Sequence, residues 1–132
     1  MKLLGIRHHT CVTGGLVLLL ASMVGTVTAE TASPVEKGKA ACYSKRLAGH
    51  KTTSGERYDP SKLTASSPRK DLLGSQAKVT NLANGKSVVV TVNDHMAGGK
   101  HRKIIMDISQ EAFKELDFPK SGEAEVEVEK QQ

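Results

Sequence analysis

Hydrophobic and polar positions alternate most clearly in the middle of the chain. Two β-rich runs, Lys78–Leu82 and Lys86–Val92, flank the dipeptide Asn84-Gly85. This dipeptide tolerates the positive φ angles of a tight turn, so the pattern predicts a β-hairpin. The valines of the second run are expected to pack into a core on one strand face or the other, as Val88 with Val90 or as Val89 with Val92.

Shorter patterns on either side of the hairpin predict further strands. Lys39–Ser44 is predicted to be the first strand, and Ile104–Met106 a short apolar strand. Glu123–Glu129 alternates acidic and apolar residues, which is typical of a half-buried closing strand.

One short helix is predicted after these strands. Ser109 is the expected N-cap of a helix that runs through Leu116, with an acidic residue in its first turn. The segments Lys45–Arg57 and Asp59–Gly74 contain glycine or proline and are predicted to be loops. Many short strands, one short helix and no internal repeat predict a small β-barrel.

Residues 1–29 have the pattern of a secretory signal peptide. Lys2 and Arg7 are positively charged, Leu16–Val27 is mostly apolar, and Val27-Thr28-Ala29 places small residues where a signal peptidase cuts. An uncleaved membrane anchor is the less favoured alternative, because the apolar run is shorter than the ~20 residues that a span requires. The residues before Cys11 do not fit a lipoprotein signal.

Composition narrows the class of protein. The 132 residues, 38% of them hydrophobic, suit one small domain. The net charge is +5, but only 3% of residues are aromatic, which argues against nucleic-acid binding by base stacking. Two cysteines exclude a disulfide scaffold and a cysteine-rich zinc module. After signal cleavage Cys42 has no partner, and a buried free thiol is expected.

Carboxylates are the remaining candidates for chemistry. No two of His50, His95 and His101 have the spacing of a helical zinc site, and no G-x-S-x-G elbow is present, so we expect neither a metal nor a serine nucleophile. The candidate carboxylates are Glu56, Asp59, Asp94 and Asp107. Each could order a turn, or could act as an acid whose pKa is raised in an apolar cleft. Spacing alone leaves both alternatives open.

Four ordered blocks of sequence lie between Gly38 and Leu116. They are GKAACYS at 38–44, AGHKTTSGERYDPSKLTAS at 48–66, VTNLANGKSVVVTVND at 79–94 and IIMDIS at 104–109. Together they resemble the RlpA-like double-psi β-barrel family of bacterial envelope proteins. The usual family forms are roughly G-x-A-S-x-Y, G-x-x-T-A-S-G-E-x-Y/F-D-x-x-x-L-T-A-A-H, V-x-N-x-x-N-G-x-S-V-V-V-x-V-N-D-R-G-P and R-I-I-D-L-S.

The resemblance implies a fold and an activity. The fold would be mainly β, a six-stranded double-psi β-barrel with one or two short helices and a groove across one face. The activity would be that of a lytic transglycosylase, which cuts peptidoglycan glycan strands stripped of stem peptides and leaves 1,6-anhydro-muramyl ends. No cofactor is implied. We expect a signal peptide at 1–29, a flexible lead-in at 30–35 and the barrel at 36–130, in a periplasmic or secreted monomer without a membrane anchor.

The resemblance also assigns candidate site residues. Glu56 and Asp59 match the acids of G-E-x-Y/F-D, Asp94 matches V-N-D, and Asp107 matches I-I-D-L-S. The expected acid is Asp94 or Asp107, in an open groove and with a raised pKa, while Glu56 and Asp59 line the groove or hold loops. The candidate substrate-binding residues are Tyr43, Tyr58 and His95.

Three departures from the family pattern leave alternatives open. The histidine of L-T-A-A-H falls on or near Ser67, His95-Met96-Ala97 replaces R-G-P, and Met106 is an extra residue before Asp107. The first alternative is an expansin-like protein that binds cell-wall glycan without cutting it. The second is a secreted effector or inhibitor that uses the barrel only as a scaffold.

Overall fold

Six β-strands form a closed barrel in the computed structural model, which describes residues 25–26, 33–97 and 103–132. The strands are β1 (Val35–Cys42), β2 (Thr64–Ser67), β3 (Gln76–Asn81), β4 (Ser87–His95), β5 (Ile104–Ile108) and β6 (Glu123–Lys130). The helix α1 spans Gln110–Glu115, and short 3₁₀ helices span Lys45–Leu47 and Lys70–Leu72. The predicted six-stranded barrel with few helices is confirmed.

The order of strands around the barrel is β1-β5-β2-β4-β3-β6, and β6 returns to β1. The pairs β1–β5 and β2–β4 are parallel, and the other four pairs are antiparallel. Parallel neighbours cannot be joined by a tight turn, so long connections cross between them. The connection from β1 to β2, residues 43–63, carries several of the candidate site residues.

The predicted hairpin is present as β3 and β4. The strands pair in antiparallel register with Val79 opposite Val88, and Gly85 takes the positive φ of 76° that the turn requires. Val90 and Val92 are fully buried and Val88 is partly buried, whereas Val89 is 42% exposed. Val88, Val90 and Val92 therefore face the core, and Val89 faces outward.

Strand β2 was missed by the hydrophobic pattern. The prediction treated Asp59–Gly74 as a loop, but Thr64–Ser67 lies between β4 and β5 and all four of its residues are buried. Its residues are small and mostly polar, so no apolar alternation marks it. Strand β1 also differs from the prediction, since it begins at Val35 and ends at Cys42.

The core is filled by small and branched residues from every strand. Its largest fully buried side chains are Leu72, Met106, Ile108 and Leu116, with valines from β3, β4 and β6. Helix α1 contributes Ala112, and the Ser109 side chain accepts a hydrogen bond from the Ala112 amide, as predicted for the N-cap. The predicted closing strand is confirmed as β6, with Val126 and Val128 facing inward.

A register shift between β1 and β5 accommodates one extra residue. Lys39 pairs with Ile104 and Ala40 pairs with Met106, so Ile105 has no opposite residue on β1. The Ile105 side chain lies against Gly38, where an added Cβ would be 2.7 Å from Ile105 Cγ2. The segment IIMDIS is one residue longer than the family pattern. The extra residue is accommodated as a β-bulge, so Asp107 still pairs with Ala41.

Several predicted features lie outside the described residues. They are the signal sequence apart from residues 25–26, Cys11, residues 30–32 of the lead-in, and the loop with Gly98-Gly99 and His101. Among the described residues, no helix is long and apolar enough to cross a membrane.

Candidate functional site

Two candidate aspartates meet in one small pocket on the outer side of the barrel wall. We call it the aspartate pocket and define it by Tyr43, Tyr58, Ser66, Asp94 and Asp107, which are among its lining residues. Its cavity volume is about 10 Å³, which is room for about one water-sized group. Both candidate aspartates therefore line the same small pocket.

Strand register explains why the two aspartates are neighbours. Ser66 on β2 pairs with Asp94 on β4 and with Asp107 on β5, so the three residues form one row across three strands. A second register shift, between Ala65 and Ser66, leaves Asn93 without an opposite residue and brings Asp94 into this row.

The row faces away from the core. The preceding row contains Ala65, Val92 and Ile108, which are all buried in the core. Because successive side chains on a strand point to opposite faces, Ser66 and Asp107 point away from the core. Asp94 is two residues after the buried Val92, and the unpaired Asn93 between them interrupts the alternation and brings Asp94 into the same row. Tyr43 and Tyr58 from the connection between β1 and β2 line the pocket over this row.

The Asp94 carboxylate accepts four hydrogen bonds. The Tyr43 hydroxyl donates to Oδ2 at 2.7 Å. Oδ1 accepts from the Thr53 amide at 2.9 Å, from the Thr53 hydroxyl at 2.8 Å and from the His95 amide at 3.0 Å. Burial raises the pKa of Asp94, but the hydrogen bonds from Tyr43, Thr53 and His95 outweigh burial and leave this pKa below its usual value. The expected raised pKa is therefore wrong for Asp94.

Asp107 lies on the other side of Ser66. It is half-buried on β5 between the buried Met106 and Ile108. The pKa values of Cys42 and Tyr43 are both raised, mainly by burial. The negative charge of Asp107 raises these two pKa values further. Asp107 is thus within electrostatic reach of the pocket's other groups.

The two tyrosines pack together over the pocket. Their ring centroids are 4.5 Å apart with the planes tilted by 57°. Tyr43 is half-buried and its hydroxyl donates a hydrogen bond to Asp94, whereas Tyr58 is buried and its hydroxyl has no hydrogen-bond partner among the described residues. The backbone of Gln110 approaches the Tyr58 hydroxyl without the geometry of a hydrogen bond. Tyr58 therefore presents an unused polar atom to the pocket.

Glu56 and Asp59 lie elsewhere. Glu56 is exposed and accepts a hydrogen bond from the Asn93 side chain at 3.3 Å. Asp59 accepts from the Ser61 amide and hydroxyl, and these bonds lower its pKa. Both carboxylates line a separate open cleft that also contains Arg57 and Lys62. Their contacts are those of residues that hold loops.

His95 lies next to Ser67, the position at which the family pattern has a histidine. Ser67 and His95 pair across β2 and β4, and His95 Nδ1 is 3.1 Å from the Ser67 carbonyl oxygen. In the part of the chain that the structure describes, no group of three His, Cys, Asp or Glu side chains is arranged to hold a metal ion.

Cys42 is half-buried rather than fully buried, and no disulfide partner is present among the described residues. The Gln110 side-chain amide lies 2.9 Å from its sulfur and 2.6 Å from the Tyr43 carbonyl oxygen. Gln110 thus fastens the start of α1 to the end of β1, next to the pocket.

Ser66 is the site residue that sequence reasoning did not select. It is buried between the two aspartates, and in the described part of the chain its hydroxyl has no hydrogen-bond partner. One signal was available, because L-T-A-A-H in the family pattern becomes L-T-A-S-S here, which replaces an alanine by Ser66. Without the strand register, however, nothing placed that serine beside Asp94 and Asp107.

Residues 35–128 match the model of a protein family described as lytic transglycolase. The chain belongs to this family, and its barrel is of the double-psi, RlpA-like type. It is 42% identical over 101 residues to the endolytic peptidoglycan transglycosylase RlpA of Neisseria meningitidis, which covers 76% of this chain and 41% of the relative. It is 43% identical over 95 residues to RlpA of Vibrio cholerae, covering 71% of this chain and 35% of the relative. The chain thus spans less than half the length of these curated relatives.

Solved structures with the same fold are more distant in sequence. The Streptomyces papain inhibitor superposes with a TM-score of 0.57 at 19% identity, over 77% of this chain and 98% of the inhibitor. A mutant Clavibacter michiganensis expansin in complex with cellohexaose gives a TM-score of 0.57 at 19% identity, over 75% of this chain and 51% of the expansin. At this level of identity the likeness shows the fold alone.

Proposed function

We propose that this chain is an exported lytic transglycosylase domain that cuts peptidoglycan glycan strands lacking stem peptides. The observation that carries the proposal is the row in which Ser66 separates two carboxylates, Asp94 and Asp107, within one pocket. Membership of the lytic transglycolase family and the RlpA relatives support it. The chemistry needs acid and base groups but no cofactor.

The reaction requires one carboxyl group to donate a proton and then to accept a second one. A carboxylic acid protonates the glycosidic oxygen as the bond from C1 of N-acetylmuramic acid breaks. The resulting carboxylate then takes the proton of the same sugar's 6-hydroxyl as that oxygen bonds to C1, which regenerates the acid and leaves a 1,6-anhydro end. No water is consumed.

We assign the acid to Asp107 and an electrostatic role to Asp94. The hydrogen bonds to Asp94 lower its pKa, so its carboxylate is charged at neutral pH and has no proton to donate. A fixed negative charge beside the reacting carbon stabilises the positive charge that develops on the sugar ring. Tyr43 positions this charge through its bond to Asp94 Oδ2.

The other candidates take supporting roles in this proposal. Tyr58 and His95 contact the glycan strand beside the two aspartates, and Tyr43 adds an aromatic surface for a sugar ring. Glu56 and Asp59 hold the loops that border the site, as their hydrogen bonds to Asn93 and Ser61 indicate.

Export rests on the signal-like residues 1–29 and on the cell-wall polymer that the relatives act upon. The proposed form is a monomer in the periplasm or outside the cell.

A second candidate function is an expansin-like protein that binds cell-wall glycan without cutting it. Two observations favour it. Asp94 is held as a charged, fully hydrogen-bonded group, and Ser67 occupies the position of the family histidine. Under this alternative the pocket would grip the glycan, and both aspartates would serve binding or folding alone.

The test is to incubate the chain without residues 1–29 with peptidoglycan, intact and stripped of stem peptides, and to detect 1,6-anhydro-muramyl ends by mass spectrometry. We expect these products from the wild type on the stripped substrate, their loss in Asp107→Asn, and a strong reduction in Asp94→Asn. Asp117→Asn is the matched control: Asp117 is exposed and has a φ of 51°, which asparagine also tolerates. A wild type that sediments with glycan but forms no anhydro ends would support the binding protein instead. A wild type that does neither would refute both.

A further inference from the structure

We propose that the Ser66 hydroxyl is a substrate-binding group, which hydrogen-bonds one hydroxyl of the glycan between Asp94 and Asp107. This inference rests on the proposed function and deepens it, because it names the group at the centre of the site and the chemistry that it recognises.

The first argument is the missing hydrogen bond. Ser66 is 1% exposed, and its Oγ has no partner within the described chain. Buried hydroxyl groups in folded proteins nearly always have a partner, because an unpaired one loses its bonds to water and gains none in return. Ser66 is one of the residues that line the aspartate pocket, so the pocket is the side from which a partner would approach its hydroxyl.

The second argument is a second unused hydroxyl in the same pocket. Tyr58 is 5% exposed and its hydroxyl also lacks a partner. Serine and tyrosine hydroxyls each donate and accept, so together they match a group that both donates and accepts. A sugar hydroxyl is such a group.

The third argument concerns charge and size. The negative charge of Asp94 disfavours an anionic ligand. Its oxygens already accept four hydrogen bonds, which leaves little acceptor capacity for a cationic ligand. The pocket's cavity volume of about 10 Å³ is room for about one water-sized group and is far below the ~300–1,000 Å³ of sites that enclose a whole small molecule. It therefore suits a single neutral substituent of a sugar whose ring stays outside.

The experiment compares the wild type with Ser66→Ala and Tyr58→Phe, using soluble glycan strands free of stem peptides as the ligand. Ser121→Ala is the control, since Ser121 is an exposed serine in the turn before β6. We expect the dissociation constant to rise about 3- to 10-fold in Ser66→Ala, as for the loss of one hydrogen bond, to rise in Tyr58→Phe, and to stay unchanged in Ser121→Ala. Thermal unfolding of each variant verifies that it is folded, and Ser66→Ala should melt no lower than the wild type because its folded state loses an unpaired polar group.

The outcomes separate this inference from the proposed function. If the wild type and Ser66→Ala bind the glycan equally well, Ser66 does not contact the substrate. The inference about Ser66 then fails, and the proposed function is unaffected. A lower melting temperature with unchanged affinity would overturn it in another way, because the hydroxyl would then have a structural partner such as a bound water. If the wild type does not bind glycan, the proposed function fails and the inference fails with it.

Discussion

The Asp94 carboxylate joins the end of β4 to the distant connection between β1 and β2. Its donors are Tyr43 and Thr53 in that connection and His95, the next residue on β4. Bonds to a charged acceptor are stronger than bonds between neutral groups. Asp94 therefore stabilises the fold as well as contributing charge to the site.

We predict that Asp94→Asn lowers the free energy of unfolding by about 1 kcal/mol at pH 7, a modest value because water screens this partly exposed carboxylate. The folded-state pKa of Asp94 is lowered. Its stabilisation is therefore complete above the unfolded pKa of about 3.9 and is lost as pH falls through the folded pKa. Urea unfolding at pH 7 and near pH 3 should show a smaller difference between wild type and variant at the lower pH. An equal difference at both values would contradict this account, and Asp117→Asn again serves as the control.

The candidate residues of this site could be predicted from the sequence better than the hydrogen bonds and the burial around them. The sequence pattern and the family resemblance brought Asp94 and Asp107 forward as candidates, and both line one pocket. The direction of the Asp94 pKa could not be predicted, because Tyr43 and Thr53 are 51 and 41 residues away in the chain. Ser66 was missed for a similar reason: its importance depends on pairing with two strands at once.

At the scale of elements, two register shifts set the site. One leaves Ile105 without a partner on β1, and the other leaves Asn93 without a partner on β2. The first keeps Asp107 opposite Ala41 despite the extra residue, and the second brings Asp94 opposite Ser66. Gly38 is part of the first arrangement, since the Ile105 side chain occupies the space where a Cβ would be.

Gly38→Ala should lower the free energy of unfolding by about 1–3 kcal/mol, the range for overpacking a well-filled site. The added methyl would be 2.7 Å from Ile105 Cγ2, so strand β1 or β5 has to shift. Denaturant unfolding of Gly38→Ala, Ile105→Ala and the double variant measures this. If the clash is the cause, the double variant loses less stability than the sum of the two single losses. Strictly additive losses would mean that Gly38 matters for another reason.

Elements with strong local signals were predicted well. The β3–β4 hairpin has valine alternation and Asn84-Gly85, α1 has its Ser109 cap, and β6 alternates acids with Val126 and Val128. Strand β2 has none of these signals. Strands β4 and β5 bury it from both sides, so its four small residues need no apolar alternation. These residues form a strand only because of the tertiary fold.

For the whole molecule, closure of the barrel joins the first strand to the last. Strand β6 pairs with β1 from Val35–Glu129 to Ala41–Glu123 and with β3 on its other side. The ion pairs on the outer face, Lys37 with Glu127 at 3.5 Å and Lys39 with Glu123 at 3.8 Å, are exposed. Exposed pairs of this kind contribute little to stability. Closure is therefore held by the backbone ladder and the buried valines of β6.

A chain that ends at residue 122 should therefore fail to fold rather than lose one strand. Removing β6 takes Val126 and Val128 out of the core and leaves β1 and β3 as unpaired edges on opposite sides of the gap. Circular dichroism and hydrogen exchange should show loss of β-structure and of amide protection throughout the remaining strands, including β2 and β4. A chain that ends at Lys130 keeps β6 complete and is the control, expected to retain protection. If the shorter chain keeps protected amides in β2, β4 and β5, these strands form a stable unit without closure. The aspartate row would then not depend on the intact barrel.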